Sequence, residues 1–278
     1  MNLYEDWSNY LVKELCNNGI KLEEKEKQNA VFYYFDFLGR KITIQKRKIH
    51  IPSNFKYPAE LSIGWNNLKK RIELGEDINP YLSKGLKNID KLFNQWDVKH
   101  FHIGEKIKNK FCERIGALIF AIVKEQDFYV IGLYQHGDWT KKYTIEQIHS
   151  HYPFLIEKYK VTSISNISGT SSQEEIDESR KCNINSPVKL SDGTVYLFCN
   201  TALSGHNIKW IELQGHMIRF FARLEKYISE SINKNEKYKN SECHLKITNN
   251  QKYFVSCEKT GFEFDATECI NFNIKKCL

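Results

Sequence analysis

The segment from Trp96 to Trp139 carries the strongest structural signal in the chain, and its second half reads ALIFAIV (117–123), KEQD (124–127) and FYVIGLY (128–134). The four polar residues between the two apolar runs leave no room for a parallel crossover, which takes about a dozen residues or more. The sequence therefore predicts an antiparallel hairpin at the core of the protein.

Alternation along the first apolar run assigns its side chains to two faces, because successive side chains of a strand point in opposite directions. The two sets are Leu118, Phe120 and Ile122 on one face and Ile119, Ala121 and Val123 on the other. Both faces are apolar, so helices are expected on both sides of the hairpin. The candidates with enough apolar surface are the segments 83–96 and 208–232, which show helical periodicity.

Polar residues lie on either side of these apolar runs. His100 and His102 have the spacing of one strand face, and His136 follows the second run. Arg114 precedes the first run, after three lysines that share a face if their segment is extended: Lys106, Lys108 and Lys110. Imidazoles and cations that converge at one end of a small sheet suit either cleavage or binding of a phosphodiester.

The composition excludes some classes of protein. The longest apolar run, 115–123, is far shorter than the roughly 20 residues that span a bilayer. The N-terminus begins with polar and acidic residues instead of a basic leader. We therefore expect a cytoplasmic protein with no membrane partner. Its formal net charge of +7 permits an anionic partner but does not require one.

The eight cysteines include no C-x-x-C pair, so reduced thiols are expected. A zinc site needs paired Cys or His at short spacing. His149 and His151 have a short spacing, but positions i and i+2 of a helix point apart. The sequence predicts no metal and no other cofactor.

The predicted fold class is α+β, with small antiparallel sheets packed against helices and a central sheet that carries N- and C-terminal α/β extensions. The predicted segments are an N-terminal helix, meander and helices (1–95), the central sheet (96–161), a flexible linker or loop rich in Ser, Thr, Glu and Asp (162–187) and a C-terminal hairpin, long helix and short strands (188–278). Within the first segment, a strand at 30–38 is expected to lead into an antiparallel meander over 41–51.

The order of strand, basic segment, arginine, apolar hairpin, histidine and aromatic resembles the core of the RelE/ParE superfamily of toxin ribonucleases. By position, the matching residues are Lys108 and Lys110 for the basic pair, Arg114 at the opening of the apolar strand, His136 at the end of the next strand, and Trp139 or Tyr143 for the terminal aromatic. The resemblance covers about residues 96–145, a RelE-like central sheet. The segments GED (75–77), PYLS (80–83), 96–104 and HGDW (136–139) also resemble an uncharacterised bacterial protein family, which implies no mechanism.

The first resemblance implies a metal-independent endoribonuclease, a bacterial toxin or phage-defence effector that cleaves RNA by attack of the ribose 2′-hydroxyl. That reaction needs a base, an acid and cations that stabilise the phosphorane. The candidate catalytic residues are His136, Arg114, His102 and His100. The candidate RNA-binding residues are Lys106, Lys108 and Lys110 as phosphate clamps and Trp139 or Tyr143 as a stacking platform.

A non-catalytic alternative stays open. In it, the basic segment binds nucleic acid or an acidic protein, and the aromatic-rich helix at 208–232 docks a partner such as an antitoxin or another component of a defence system. His102 is then a buried core histidine, and the lysines are a solvated surface. Arg114 then pairs with Glu113 or Asp138.

Overall fold

The computed structural model describes residues 1–85, 87–162, 172–239 and 241–277, and its fold is α+β. In these ranges the helices are α1 (Leu3–Asn17), α2 (Glu24–Lys27), α3 (Ala30–Arg40), α4 (Ser62–Leu74), α5 (Lys91–Trp96), α6 (Tyr143–His151), α7 (Gln173–Lys181), α8 (Ile208–Asn233) and α9 (Thr267–Cys277). The strands are β1 (Lys48–His50), β2 (Lys99–His102), β3 (Ile107–Lys108), β4 (Phe111–Cys112), β5 (Ala117–Val123), β6 (Asp127–Gln135), β7 (Pro187–Lys189), β8 (Val195–Leu197), β9 (His244–Ile247), β10 (Tyr253–Cys257) and β11 (Phe262–Asp265).

The chain forms two compact units. One unit joins the two ends of the chain, Met1–Leu38 and Ile208–Leu278, and the other is the intervening segment Gly39–Asn207. The boundaries predicted from sequence, near residues 95, 161 and 187, are not the boundaries of these units. Those boundaries followed changes of pattern along the chain, whereas the first unit depends on contacts between segments that are far apart in sequence.

The main sheet of the 39–207 unit has the strand order β1-β6-β5-β2. The predicted β5–β6 hairpin is confirmed: the strands are antiparallel from Ala117↔Gln135 to Val123↔Phe128. β2 pairs antiparallel with β5, and β1 pairs parallel with β6. A second small hairpin, β7–β8, is the hairpin predicted at the start of the C-terminal segment.

One irregularity interrupts the hairpin, because Phe120 pairs with Gly132 whereas Ala121 pairs with Val130. The extra residue in β6 is therefore Ile131, a β-bulge. Before the bulge, Tyr129 packs on the same side as Phe120; after it, Tyr134 does. The bulge thus exchanges the two faces of β6 for every residue that follows it.

Helices cover both faces of the hairpin, as predicted. Leu118, Phe120 and Ile122 belong to one cluster of buried residues, to which α5, α6 and α7 contribute Leu92, Trp96, Ile145, Ile148 and Ile176. Ile119 and Ala121 belong to the other, to which α4 contributes Trp65, Leu68 and Ile72. Of the two predicted covering segments, 83–96 supplies only the short α5, and the 208–232 helix belongs to the other unit.

Three local predictions in the first segment were wrong. Residues 30–38, expected as a strand, form most of α3, because their aromatic side chains pack at helical spacing in the first unit; Phe35 lies between Trp7 (6.3 Å) and Trp210 (5.9 Å). The meander over 41–51 is reduced to β1, which pairs with a distant strand instead of a local one. The helix expected at 83–96 begins only at Lys91, capped by Asp90; Leu86 lies outside the described residues.

The predicted linker at 162–187 is partly ordered helix. Residues 163–171 lie outside the described residues. Beyond them, α7 begins at a capping box in which Ser172 and Glu175 accept each other's backbone N–H. The Ser- and Glu-rich composition that suggested a linker is thus in part the signal of a helix N-terminus.

The unit built from both chain ends contains α1, α8, α9 and an antiparallel sheet of order β11-β10-β9. The long helix predicted at 208–232 is confirmed as α8, and its buried stripe includes Met217 and Phe221. Trp7 of α1 packs on Phe221 at 5.6 Å between ring centroids. Within the described ranges, no helix has the length and apolar character needed to cross a membrane.

Candidate functional site

The sheet brings together the three histidines of the predicted site. His100 and His102 pair with Phe120 and Leu118, so both histidines share the face of the hairpin that packs against α5 and α6. The ring centroids of His100 and His102 are 6.0 Å apart, and those of His102 and His136 are 5.4 Å apart. The three imidazoles therefore lie together at one end of the sheet.

The β-bulge explains how His136 reaches that face. After Ile131, the even-numbered residues Gly132 and Tyr134 lie on the histidine face of the sheet, and His136 continues this alternation just past the end of β6. β-Bulges often reorient a side chain beside a functional site.

A cavity of about 290 Å³ opens beside these histidines. Among its lining residues are His100, His136, Asp90, Arg40 and Trp139. Its volume is at the lower end of the roughly 300–1,000 Å³ of small-molecule sites. The cavity therefore combines imidazole, carboxylate and guanidinium groups with an aromatic wall.

His100 is held by a carboxylate. Its Nδ1 lies 3.5 Å from Oδ2 of Asp90, while Oδ1 of Asp90 accepts the backbone N–H of Phe93 at 3.0 Å and so caps α5. Burial lowers the pKa of His100 below its usual value; Asp90 opposes this shift, and the positive groups of His136, Arg40 and Arg114 add to it. His100 is thus neutral at pH 7, and Asp90 is placed to orient its ring.

His102 lies beneath the cavity and is only 1% exposed. Neither of its ring nitrogens has a hydrogen-bond partner among the described residues. Burial, followed by the charge of Arg114, lowers the pKa of His102 to about 3. A histidine that stays neutral throughout the physiological range does not serve as a general acid.

Arg114 is exposed in the loop before β5. Its positive charge lowers the pKa of both His100 and His102. Lys84 acts on His102 in the same direction. The site therefore has a positive side that suits an anionic substrate.

The three lysines would share a strand face only if their segment were extended, and this condition is not met. β3 and β4 make a two-residue hairpin whose turn residues, Asn109 and Lys110, have φ of +51° and +67°. Lys108 lies in β3, Lys110 lies in the turn, and Lys106 precedes the strand; all three are exposed. A turn at this point reverses the chain and ends the alternation on which the prediction depended.

The two predicted aromatic residues differ in position. Trp139 is half-buried and lines the cavity, with the Arg180 guanidinium carbon 5.3 Å and Lys91 Nζ 5.8 Å from its ring centroid. Tyr143 is 51% exposed on α6, and its ring lies 6.4 Å from that of Tyr134. Trp139 is accordingly the aromatic residue that belongs to the site.

Sequence reasoning missed Asp90 and Arg40. Asp90 had a usable signal, since an Asp just before an apolar helical run marks an N-cap. Arg40 is 9% exposed and donates from Nη1 to the carbonyls of Gly85 (3.3 Å) and Asn88 (3.1 Å). No local pattern singles out this arginine, because its partners are more than forty residues away.

No group of three or more His, Cys, Asp or Glu in the described part of the chain is arranged to hold a metal ion. The site chemistry that the chain itself supplies is proton transfer and electrostatic stabilisation. Comparison with protein-family models, curated proteins and solved structures gives no significant match for this chain.

Proposed function

We propose that the cavity beside His100 and His136 is the acid–base site of a metal-independent endoribonuclease of RelE-like type. The observation that carries the proposal is the convergence of three imidazoles at one end of the sheet, one of them backed by Asp90, next to Arg114. Cleavage of RNA through the 2′-hydroxyl needs these groups and no metal.

In the proposed mechanism His100 is the general base. Its neutral ring directs Nδ1 to Asp90 and leaves Nε2 to accept the proton of the 2′-hydroxyl. His136, which is exposed at the cavity edge, gives a proton to the leaving 5′-oxygen. Arg114 stabilises the charge of the phosphorane.

In this proposal the remaining residues of the site bind the RNA or position the residues that transfer protons. His102, a candidate catalytic residue from the sequence, packs beside the rings of His100 and His136 and helps to position them. Trp139 stacks with a base at the cavity wall, and the exposed β3–β4 hairpin holds the phosphates of the same strand through Lys106, Lys108 and Lys110. The setting we propose is the bacterial cytoplasm, in a toxin or phage-defence role, with RNA as substrate.

The test is cleavage of labelled RNA by the purified protein in EDTA. The expected products carry 2′,3′-cyclic phosphate ends. His100→Ala and His136→Ala should each lower the rate by about 10² to 10⁴, the usual contribution of a proton-transfer group. His244→Ala, a surface histidine of the other unit, is the matched control and should leave the rate unchanged.

Intact RNA after incubation with pure, folded protein, alone and with ribosomes, would refute the proposed endoribonuclease activity. The second candidate is then a binding module, favoured by the exposed lysines of the β3–β4 hairpin, with an antitoxin or other partner on α8. An RNA affinity that falls as salt rises would support the RNA-binding form of this module. The slope of log affinity against log salt concentration should then be smaller in Lys108→Ala/Lys110→Ala. If RNA affinity does not depend on salt, only the form of the module that binds a protein partner remains.

A further inference from the structure

Two cysteines face each other at the open end of the β9–β10 hairpin, in the unit built from both chain ends. The strands pair from Tyr253↔Ile247 to Ser256↔His244. The next pair in this register is Cys257↔Cys243. Cys243 is fully buried and Cys257 is 3% exposed.

The hydrogen bonds around the hairpin fix the type of this pair. The N–H of Leu245 donates to Asp6 Oδ2 (2.8 Å), and the N–H of Tyr253 donates to Thr267 Oγ1 (2.9 Å), so neither donates across the β9–β10 ladder. Their pairs are therefore of the non-hydrogen-bonded kind. Because the two kinds alternate along an antiparallel ladder, Cys243↔Cys257 is also a non-hydrogen-bonded pair.

This kind of pair brings the two thiols within bonding reach. Its Cα atoms are about 4.5 Å apart, the shorter of the two antiparallel spacings. Disulfides span Cα separations of about 4.4–6.8 Å. The backbone therefore needs no rearrangement to join Cys243 to Cys257.

The two thiols have different surroundings. Hydrogen bonds from the Thr260 hydroxyl and from the Thr260 and Lys259 N–H groups lower the pKa of Cys257. The Ser241 hydroxyl lies 2.8 Å from the Thr260 hydroxyl and donates to the carbonyl of Tyr238 (2.6 Å). Burial raises the pKa of Cys243. Cys257 is thus the thiol that reacts first, and Cys243 is the one that follows.

We propose that Cys243 and Cys257 are a reversible redox pair that a small peroxide converts to an intramolecular disulfide. The Cys257 thiolate attacks one oxygen of hydrogen peroxide, which breaks the O–O bond and releases hydroxide, and the sulfur becomes a sulfenic acid. The Cys243 sulfur then attacks this sulfur and displaces the second oxygen. The thiol protons leave with the two oxygens as two molecules of water, and a thiol reductant reverses the change.

The experiment is peptide mapping of the full chain after treatment with hydrogen peroxide and alkylation of the remaining thiols. Trypsin cuts after Lys239, Lys246, Lys252 and Lys259, which places the two cysteines on separate peptides. Oxidation should join these peptides with the loss of two hydrogens, and dithiothreitol should separate them. Recovery of both peptides as alkylated monomers, under conditions that oxidise the exposed Cys269, would overturn the proposal.

Variants test the order of the steps. Cys243→Ser should leave Cys257 as a sulfenic acid that dimedone traps, whereas Cys269→Ser should not alter the joined peptides. Thr260→Val removes one thiolate hydrogen bond and should shift the pH dependence of oxidation to higher pH. Absence of dimedone on Cys257 in Cys243→Ser, or an unchanged pH profile in Thr260→Val, would contradict the assigned roles.

Discussion

Asp90 has two structural duties, one on each carboxylate oxygen. Oδ1 caps α5, and Oδ2 faces His100 Nδ1 at 3.5 Å. The cap could be predicted from the sequence, because an Asp just before an apolar helical segment is typical of an N-cap. The contact with His100 could not, because it depends on where β2 places a side chain ten positions later. The burial of His102 agrees with the alternative interpretation of the sequence, in which it is a core histidine.

Replacing Asp90 by Asn separates its role as the cap of α5 from its role beside His100. Asp90→Asn keeps a good N-cap, so stability should change by less than about 0.5 kcal/mol. Loss of the charge removes the interaction that raises the pKa of His100, so the acid limb of the pH–rate profile for RNA cleavage should move to lower pH while kcat falls. Asp127→Asn, which affects the His50 pair instead, is the matched control. An unaltered profile in Asp90→Asn would exclude this positioning role.

His102 makes stability depend on pH. Its pKa is about 3 in the folded protein and about 6.5 in the unfolded chain, so below pH ~6.5 only the unfolded state binds this proton. The free energy of unfolding should therefore decrease as pH falls from about 6.5 towards 3, by about 1.4 kcal/mol per pH unit. Denaturant titrations of His102→Leu should show a slope smaller by this amount, and His244→Leu should keep it. Equal slopes in all three proteins would mean that His102 is not buried neutral.

Among the elements, those with strong local signals were predicted and those decided by distant contacts were not. The β5–β6 hairpin has two apolar runs and a short polar turn, and α8 has an apolar stripe of seven turns; each pattern specifies its own structure. Residues 30–38 have the aromatic content of a strand, but their partners Trp7 and Trp210 are in helices far away in the chain. β1 is a strand only because β6 provides a parallel neighbour.

Substitution of Phe120 tests how much the β5–β6 hairpin contributes to the stability of the core. It is 2% exposed and stacks on Tyr134 with ring centroids 4.1 Å apart. Phe120→Ala should lower the free energy of unfolding by about 3 to 5 kcal/mol, the range for a buried aromatic. Leu203→Ala, at a site 79% exposed, should change it by less than about 0.5 kcal/mol. A loss below about 1 kcal/mol in Phe120→Ala would place this residue outside the core.

For the molecule as a whole, the chain order conceals which segments form a unit. Residues 39–207 contain the main sheet, both clusters that cover it and the histidine cavity. The other unit forms only when residues 208–278 pack against residues 1–38. A pattern along the chain does not show that its two ends pack together, which is why the boundaries drawn from the sequence differ from those of the two units.

Two truncations follow from this division. The fragment 39–207 should unfold cooperatively in urea, because it retains its own core. The fragment 1–207 should aggregate or bind a hydrophobic dye, because α1 loses the partners that bury Leu3, Trp7 and Leu11. Sedimentation and dye fluorescence distinguish these outcomes. A soluble, dye-free 1–207 with a folded α1 would show that α1 does not need the C-terminal segment.

The single extra residue at Ile131 also sets a constraint on insertions and deletions. Deletion of Ile131 would make the alternation of β6 regular and leave Gly132 opposite Phe120, so the position after the strand would stay on the histidine face. Loss of one residue from 132–135 would instead turn that position to the opposite face of the sheet. A related chain without the extra residue would keep the three imidazoles together with its last histidine one place nearer the start of β6. The length of β6, more than its composition, thus decides which sequences can carry the same site.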